Sequence, residues 1–209
     1  MIASIHLRGV TKRFGPTTAL RGVTLEIGRG LTLIEGPNGS GKSTLLGVIG
    51  QVIRPTSGSI EYAPFATGAE ARGEMGWLSH DSLCYGDLTG KQSVCFAARV
   101  AGFDAEAAWT RAVERFDLGG FAERKLRTNS RGQRQRIALA RALASQPSVV
   151  LLDEPTTGLD RRSTERLVAL LKEELERDAI VVLVTHEPVL FGDLPTSRIV
   201  VEAGRANVS

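Results

Sequence analysis

The sequence has little of several features that would narrow its function at once. It has two cysteines, Cys84 and Cys95, among 209 residues, and they form neither a CxxC pair nor a metal-binding quartet. No apolar run approaches the roughly 20 residues that a membrane-spanning helix needs, and the N-terminus lacks the basic start and apolar segment of a secretory signal. We therefore expect free thiols in a reducing compartment, and any membrane spans in a separate partner.

An excess of one charge is almost lacking as well. The chain has 26 Lys and Arg against 23 Asp and Glu, which gives a net charge of +3. This small excess favours anionic partners only weakly and does not distinguish phosphate, membrane headgroups and nucleic acid. The length and an apolar fraction of 42% predict that residues 1–209 form one domain around a buried core.

Three short runs of mostly apolar residues are typical of strands buried on both faces of a parallel sheet. They are LTLIE (31–35), VVLLDE (149–154) and IVVLVT (180–185). The first two are followed by helical patterns over residues 42–50 and 161–178, and the third by a short helical segment. This alternation predicts a parallel α/β sheet with flanking helices.

The other segments predict how this sheet is extended. SIHLRGV and LRGVTLEI, near the start of the chain, alternate apolar and polar residues as antiparallel edge strands do. Between about residues 87 and 145 the pattern is helical without a strand signal, and residues 62–74 read as a long polar loop. The sequence thus predicts an α/β fold with a mostly parallel sheet core, an antiparallel edge sheet and an inserted helical subdomain over about 87–145.

Directly after the first apolar run comes GPNGSGKST (36–44), which satisfies the pattern G-x-x-x-x-G-K-[ST]. Glycines let the backbone turn its N–H groups inward, and the following helix presents its positive end to phosphate. The pattern predicts that the lysine reaches the β- and γ-phosphates and that the serine hydroxyl binds Mg²⁺; a glycine-rich turn with a surface lysine is the alternative. The candidate nucleotide-binding residues are Gly36, Pro37, Asn38, Gly39, Ser40, Gly41, Lys42, Ser43 and Thr44.

A phosphate-binding loop of this kind needs a second magnesium ligand at the end of a neighbouring strand. The run VVLLDEP supplies Asp153 for Mg²⁺, and Glu154 follows where a carboxylate could activate an attacking water. Alone, the pair could equally be a solvated strand end. Together with the loop at 36–44, it predicts a nucleoside triphosphatase.

With these motifs in place, nearly the whole chain resembles the nucleotide-binding cassette of ABC proteins. Asn-Ser-Arg-Gly-Gln (129–133), followed by RQRIALARAL, resembles the ABC signature motif and its helix. The family's motif usually begins Leu-Ser-Gly-Gly-Gln, so Asn129 and Arg131 are departures from it. The resemblance implies a P-loop nucleoside triphosphatase fold of ABC type.

The resemblance also implies that two cassettes pack head to tail, so that each signature helix points at the nucleotide of the other subunit. Ser130, Gly132 and Gln133 would contact that nucleotide, aided by the helix dipole. The basic stretch 127–141, which has five arginines and no acid, would then serve mainly nucleotide binding. A nucleic-acid clamp is the alternative, because a basic cluster alone is non-specific.

Three further positions match functional residues of the family. Phe14 matches the aromatic residue that stacks on adenine, Asp160 in GLD matches the D-loop at the dimer interface, and His186 matches the switch histidine near the γ-phosphate. From the residues alone, Phe14 could pack in the core or at a sheet edge, Asp160 could cap the following helix, and His186 could be structural or exposed.

The strand MGWLS ends at His80, where most cassettes have a glutamine that approaches Mg²⁺ and the attacking water. A histidine at this position, in a short chain without a C-terminal domain, resembles the ATP-binding subunit of the haem exporter of cytochrome c biogenesis. This resemblance makes His80 a candidate catalytic and metal-binding residue. An exposed loop residue without a role is the alternative.

We therefore expect a Mg-ATP-hydrolysing subunit, peripheral at the cytoplasmic face of the cell membrane, that drives a separate integral membrane subunit. The second nucleotide-binding subunit would be another copy of the chain, and no nucleic acid would be bound. The rival function is a soluble ABC-type ATPase acting on DNA, but such proteins place coiled coils or zinc modules between P-loop and signature. A small P-loop kinase is a further rival, which would not need the signature helix.

Overall fold

The computed structural model describes residues 1–79 and 85–208, so the candidates His80 and Cys84 lie outside the described residues. The strands are β1 (Ser4–Phe14), β2 (Thr17–Ile27), β3 (Gly30–Glu35), β4 (Ser57–Ala63), β5 (Met75–Leu78), β6 (Val149–Asp153), β7 (Ile180–Val184), β8 (Pro195–Glu202) and β9 (Arg205–Val208). The α-helices are α1 (Lys42–Ile49), α2 (Gly68–Ala71), α3 (Gly90–Val100), α4 (Ala105–Phe116), α5 (Arg131–Ala142) and α6 (Arg161–Glu176). Short 3₁₀ turns lie at Arg72–Glu74, Gly119–Glu123, Leu126–Thr128 and Pro188–Phe191.

The larger sheet has the strand order β5-β6-β7-β3-β8-β9, and all its pairs are parallel except β8 with β9. Every residue of β6 and β7 is buried, because helices cover both faces of the sheet. Val184 at the end of β7 pairs with Asp153 on one side and Ile34 on the other. The chain segments that leave β3, β6 and β7 therefore start at the same edge of the sheet.

The smaller sheet is antiparallel, with the order β2-β1-β4. Its first two strands are the alternating segments that the sequence predicts, whereas β4, β8 and β9 were not predicted. The prediction of a long loop over 62–74 is wrong: the stretch begins with the end of β4 and continues into α2 and a 3₁₀ turn. Thr67 caps α2 by accepting a hydrogen bond from the Glu70 backbone N–H, which explains how so polar a stretch forms a helix.

Helix α1 lies between the two sheets and fixes the loop that precedes it. Its residues Leu45, Leu46, Val48 and Ile49 are fully buried. They belong to one apolar cluster with side chains of β1 and β2 on one side and of β6 and β7 on the other. Fully burying such a side chain stabilises a fold by about 1.5–3 kcal/mol, so the start of α1 is held firmly at the sheet edge.

Helices α3, α4 and α5 fall within the predicted helical subdomain, and no strand interrupts them in the described part of that region. Their apolar residues pack with α6 into a second core cluster on the other side of the larger sheet. Thr89 begins α3 with a capping box, in which its side chain and that of Gln92 satisfy each other's backbone N–H groups. None of the described helices is long and apolar enough to cross a membrane.

Candidate functional site

The loop between β3 and α1 has the conformation that a phosphate-binding loop requires. Gly36, Gly39 and Gly41 adopt φ values of 143°, 76° and 112°, which residues with a Cβ rarely adopt. A Cβ on Gly41 would also lie 2.6 Å from the carbonyl oxygen of Ala19 in β2. Glycine at position 41 is therefore needed both for the backbone conformation and for the close contact with the smaller sheet.

Lys42 is the first residue of α1, and its side chain reaches back across the loop. It is 7% exposed, and its Nζ donates hydrogen bonds to the carbonyl oxygens of Gly36 at 2.8 Å and Pro37 at 2.9 Å. Within the described residues the buried hydroxyl of Ser40 has no hydrogen-bond partner. A cation and an unsatisfied hydroxyl in one glycine-rich loop fit the binding of a phosphate chain.

The loop forms one wall of a cavity of about 570 Å³ that brings half of the predicted site residues together. The cavity is lined by Thr17, Thr18, Ala19, Arg21, Asn38, Gly39, Gly41, Lys42, Ser43, Thr44, Asp153, Glu154, Thr157, Val184, His186, Ala203 and Gly204. Its size lies within the range of about 300–1,000 Å³ that is usual for small-molecule sites. The predicted phosphate, magnesium and general-base residues therefore face one common space.

Two carboxylates stand at the sheet edge beside this loop. Asp153 ends β6 and is 4% exposed. Glu154 follows at φ 51°, and its backbone N–H donates to the carbonyl oxygen of Val184 at 2.9 Å. The left-handed conformation is costly for a glutamate, and this hydrogen bond helps to hold it.

The Glu154 side chain is 13% exposed, and its Oε1 lies 3.3 Å from Nε2 of His186. Burial raises the pKa of Glu154 above its usual value, and the neighbouring His186 opposes this rise. A carboxylate with a raised pKa is a stronger base, so Glu154 is suited to accept a proton from water.

Two side chains of this cavity fit a magnesium site. Within the described residues, no cluster of three His, Cys, Asp or Glu side chains could hold a metal ion by itself. Mg²⁺ is usually bound by one or two carboxylates together with waters and substrate phosphates. The Ser43 hydroxyl and the Asp153 carboxylate, which line the same cavity as the phosphate-binding loop, fit this kind of site.

The signature residues do not line the cavity of their own chain. Ser130 caps α5, where its Oγ accepts from the Gln133 backbone N–H at 3.2 Å, while Gln133 Oε1 accepts from the Ser130 backbone N–H at 3.0 Å. This capping box uses only acceptor atoms of the two side chains. The Ser130 O–H and the Gln133 amide N–H groups therefore keep the capacity to donate to a phosphate or a sugar.

The predicted D-loop packs directly against the start of the signature helix. A Cβ on Gly132 would lie 2.6 Å from the carbonyl oxygen of Gly158, so only glycine allows this contact. Asp160 caps α6, as its side chain accepts from the Ser163 backbone N–H at 2.8 Å. Hydrogen bonding to Ser163, first with its side chain and then with its backbone N–H, lowers the pKa of Asp160. The capping role, which the sequence left as an alternative, is therefore present.

Phe14 ends β1 and does not line the cavity, although its β2 partner Thr17 does. Its side chain is 49% exposed, and the Lys12 ammonium lies 4.8 Å from the centre of its ring. The stacking role of Phe14 remains a prediction. Cys95 is a free, buried thiol, as expected.

Sequence reasoning missed the turn between β8 and β9, which closes one side of the cavity. The Gly204 N–H donates to the Ser40 carbonyl at 3.0 Å, and its carbonyl accepts from the Arg21 N–H at 2.8 Å. Arg21 Nε also donates to the Ala203 carbonyl at 3.1 Å. Ala-Gly before a short strand is a turn signal, but no local pattern shows that this turn packs on a loop near residue 40.

Comparison with known proteins agrees with the geometry. The model of the family described as "ABC transporter" matches residues 20–157, about two thirds of the chain. The chain belongs to this family. It is therefore an ATPase subunit of a transporter that binds ATP with Mg²⁺, and ATPase subunits of this family act in pairs and with membrane subunits.

Two curated relatives show how the family's functions vary at similar identity. The cytochrome c biogenesis ATP-binding export protein CcmA 2 of Cupriavidus metallidurans is 36% identical over 190 residues, which cover 88% of this chain and 90% of that protein. The lipoprotein-releasing system ATP-binding protein LolD of Bacteroides fragilis is 35% identical over 199 residues, which cover 89% and 92%. Identity to relatives thus shows the family and does not select a cargo.

The fold is that of a solved ABC transporter cassette. The dimeric structure of MJ0796, a bacterial ABC transporter cassette, matches with a TM-score of 0.87 and 30% identity, covering 98% of this chain and 97% of that one. The dimeric post-hydrolysis state of the same cassette, bound to ADP and Pi, matches with a TM-score of 0.86 and 29% identity over the same shares.

Proposed function

We propose that this chain drives a separate membrane subunit from the cytoplasmic face of the cell membrane, as one half of a homodimer that closes on ATP and reopens after hydrolysis. The observation that carries this proposal is the shared cavity in which Lys42, Asp153 and Glu154 meet, while Ser130 lies outside it. The cavity of one chain thus has the groups that bind the nucleotide and activate the attacking water, but it lacks the signature residues.

Within the cavity, the residues divide the work of phosphoryl transfer to water. Lys42 and the N–H groups of the glycine-rich loop bind the phosphates, and Ser43 with Asp153 would hold Mg²⁺, which neutralises phosphate charge when bound. Glu154 takes the proton of the attacking water, because it is the partly buried base at the sheet edge. His186 lies beside Glu154, where it orients that carboxylate and senses the terminal phosphate.

The signature helix completes the site of the other copy. Ser130 and Gln133 keep outward donors after satisfying each other, and the positive end of α5 adds to the attraction for phosphate. Asp160, which begins α6 in the loop packed on the signature, belongs to the same face. Closure is then a population shift: ATP binds both halves of the closed dimer, whereas ADP lacks the phosphate that connects them.

Replacing Glu154 with Gln tests this arrangement. The variant should bind Mg-ATP with nearly unchanged affinity, hydrolyse it at least about 100-fold more slowly, and accumulate as a dimer in ATP but not in ADP. Steady-state phosphate release and light scattering after gel filtration measure the two effects. Hydrolysis at the wild-type rate would show that Glu154 is not the base, and a variant that stays monomeric in ATP would contradict the closed dimer.

A second groove provides a surface for the membrane subunit. It has a volume of about 610 Å³ and lies between β5, α3 and α5, within and beside the helical subdomain that we propose for residues 87–145. Three of its apolar side chains are largely exposed, namely Tyr85 at 72%, Phe96 at 58% and Val100 at 73%. Clustered exposed apolar side chains of this kind mark protein interaction surfaces.

The groove is tested separately from catalysis. Phe96→Glu should abolish co-purification with the integral membrane partner from detergent extracts, while ATP-dependent dimerisation of the chain stays intact. Val52→Glu is the matched control, because Val52 is 59% exposed and does not line the groove. Equal recovery of the partner with both variants would show that the groove is not the docking surface.

For the cargo we propose haem export in cytochrome c biogenesis. It is supported by the histidine at position 80, where most cassettes have glutamine, and by similarity to a CcmA protein over most of both chains. The identity of the membrane proteins that co-purify with the tagged chain decides this proposal. Recovery of a lipoprotein-release or amino-acid permease would replace haem with that cargo, and a DNA-bound complex would favour the rival function.

A further inference from the structure

The signature helix begins with a charge that is unusual for its position. Arg131 is the first residue of α5, directly after the cap Ser130, and stands where the family's motif has glycine. The positive end of a helix dipole repels a cation, and the first turn of α5 has no acidic residue to offset this repulsion. Arg131 therefore destabilises the isolated chain slightly unless an anion approaches it.

The neighbouring arginines of α5 are occupied, but the head of Arg131 is not. Arg134 Nη1 donates to the Asn129 carbonyl at 2.6 Å, and Arg136 Nη1 donates to the Asp117 carbonyl at 2.9 Å. In the described part of the chain, the Arg131 guanidinium has no hydrogen-bond or ion-pair partner, and the residue is exposed. It is thus a charged group held at the surface without an intramolecular use.

The stem of Arg131 is fixed even though its head is free. A Cβ on Gly158 would lie 2.9 Å from Cγ and 3.0 Å from Cδ of Arg131, so the aliphatic part of the side chain lies against the loop before α6. Gly132 contacts the Gly158 carbonyl in the same place. This packing limits the rotamers of Arg131, which reduces the entropy lost when its guanidinium binds a ligand.

The nucleotide cavity, in turn, lacks surplus positive charge. Among its lining residues, Lys42 and Arg21 are matched in number by Asp153 and Glu154. A nucleoside triphosphate with one Mg²⁺ keeps a net negative charge, most of it near the terminal phosphate. A cation from outside the cavity would balance that charge.

We infer that the Arg131 guanidinium binds the terminal phosphate of the ATP held by a second copy of this chain. The planar fork of arginine suits phosphate oxygens, and the contact would exist only in the closed dimer. This inference rests on the proposed in-trans arrangement and adds a charged contact to it. Arg131 is thus a further nucleotide-binding residue, which adds to the selectivity of dimer closure for ATP over ADP and makes closure sensitive to salt.

The test uses the Glu154→Gln chain, in which the ATP-bound dimer should persist. Arg131→Gln in this background should raise the ATP concentration for half-maximal dimerisation on the order of 10- to 100-fold, and Arg131→Lys should recover much of the loss. Nucleotide affinity of the monomer, titrated below the dimerisation threshold, should not change. Arg8→Gln is the control, since Arg8 is an exposed arginine that pairs with Glu61 on the smaller sheet.

Three readouts separate the outcomes. If Arg131→Gln dimerises at the same ATP concentration and with the same salt dependence as its parent, Arg131 does not touch the nucleotide. If the monomer of this variant loses ATP affinity as much as dimerisation is weakened, Arg131 acts on the nucleotide of its own chain. If the midpoint of thermal unfolding of the variant falls, the role of Arg131 is structural. Either result overturns the inference. A parent that fails to dimerise in ATP would overturn the dimer proposal itself, whereas a dimerising parent with an unaffected Arg131 variant would overturn only the inference.

Discussion

Replacing Gly41 with Ala separates the two demands that the phosphate-binding loop makes on glycine. Gly41 has φ 112°, and a Cβ there would lie 2.6 Å from the Ala19 carbonyl oxygen. Gly39 in the same loop has φ 76°, but a Cβ on it would meet nothing within 4 Å. Gly39→Ala is therefore the matched control, because it has the backbone cost without the steric contact.

The expected costs follow from these distances. An unfavourable φ costs an alanine about 1–3 kcal/mol, and overlap with a rigid backbone oxygen costs about 1–3 kcal/mol more. Gly39→Ala should lower the free energy of unfolding by the first amount only, whereas Gly41→Ala should lower it by about 2–6 kcal/mol. The entropy that alanine removes from the unfolded chain is the same in both variants and cancels in the comparison.

Urea unfolding of both variants, followed by circular dichroism, measures this difference, and equilibrium titration with Mg-ATP measures its effect on binding. Because the clash pushes β2 away from the residue that precedes Lys42, Gly41→Ala should also bind nucleotide more weakly than Gly39→Ala. Equal unfolding free energies for the two variants would refute the steric argument. Weaker stability with unchanged ATP affinity would show that the loop recovers its shape when nucleotide binds.

Three further predictions concern the signature helix, the proposed base and a buried ion pair. Ser130→Arg should leave ATP binding by the monomer intact but abolish ATP-dependent dimerisation; equal loss of both in equilibrium titration and light scattering would contradict action in trans. Burial raises the pKa of Glu154, and His186 opposes this rise. As the pH is lowered, ATPase activity should therefore be lost at a higher pH than the usual pKa of a glutamate would give. His186→Gln should move this acid limb of the pH–rate profile to still higher pH. An acid limb that does not move in the variant would show that His186 does not influence the protonation of Glu154. Glu174→Ala removes a fully buried carboxylate that pairs with both Arg115 and Arg177 at 2.7 Å. Because Arg115 keeps Glu173 as a partner, the free energy of unfolding, measured with urea, should fall by about 1–3 kcal/mol; a loss below about 0.5 kcal/mol would show that the pairs are not needed.

The sequence was most informative where burial forces a local pattern of apolar residues. The strands that became β3, β6 and β7 are apolar on both faces because helices cover both sides of the sheet, and this pattern is visible without a structure. Strand β8 is only partly buried, because Ile199 and Val201 are the only buried residues in PTSRIVVE. Its apolar residues are too few for such a run, so it escaped notice.

The same distinction holds within the site. Glycines 36, 39 and 41, Lys42 and Asp153 were predicted because loop geometry and metal chemistry dictate their residue types and their places after strands. Arg21 and Gly204 also line the cavity, but they arrive there through sheet pairing and a turn from the far end of the chain. Contacts between distant segments leave no periodic trace in the residues that make them.

One such distant contact joins the two halves of the proposed mechanism. Gln135 in α5 is 7% exposed, and its amide donates to the Pro155 carbonyl at 3.0 Å and approaches the Glu154 carbonyl at 3.5 Å. The helix that we propose presents Ser130 to the partner's nucleotide is therefore tied to the backbone of Glu154, the proposed base for the chain's own nucleotide. Because Glu154 already holds a costly φ of 51°, a small shift of α5 on engagement would act on a residue whose position is sensitive to it. In the proposed dimer, this buried amide connects closure on the partner's nucleotide to the alignment of the base for the chain's own nucleotide.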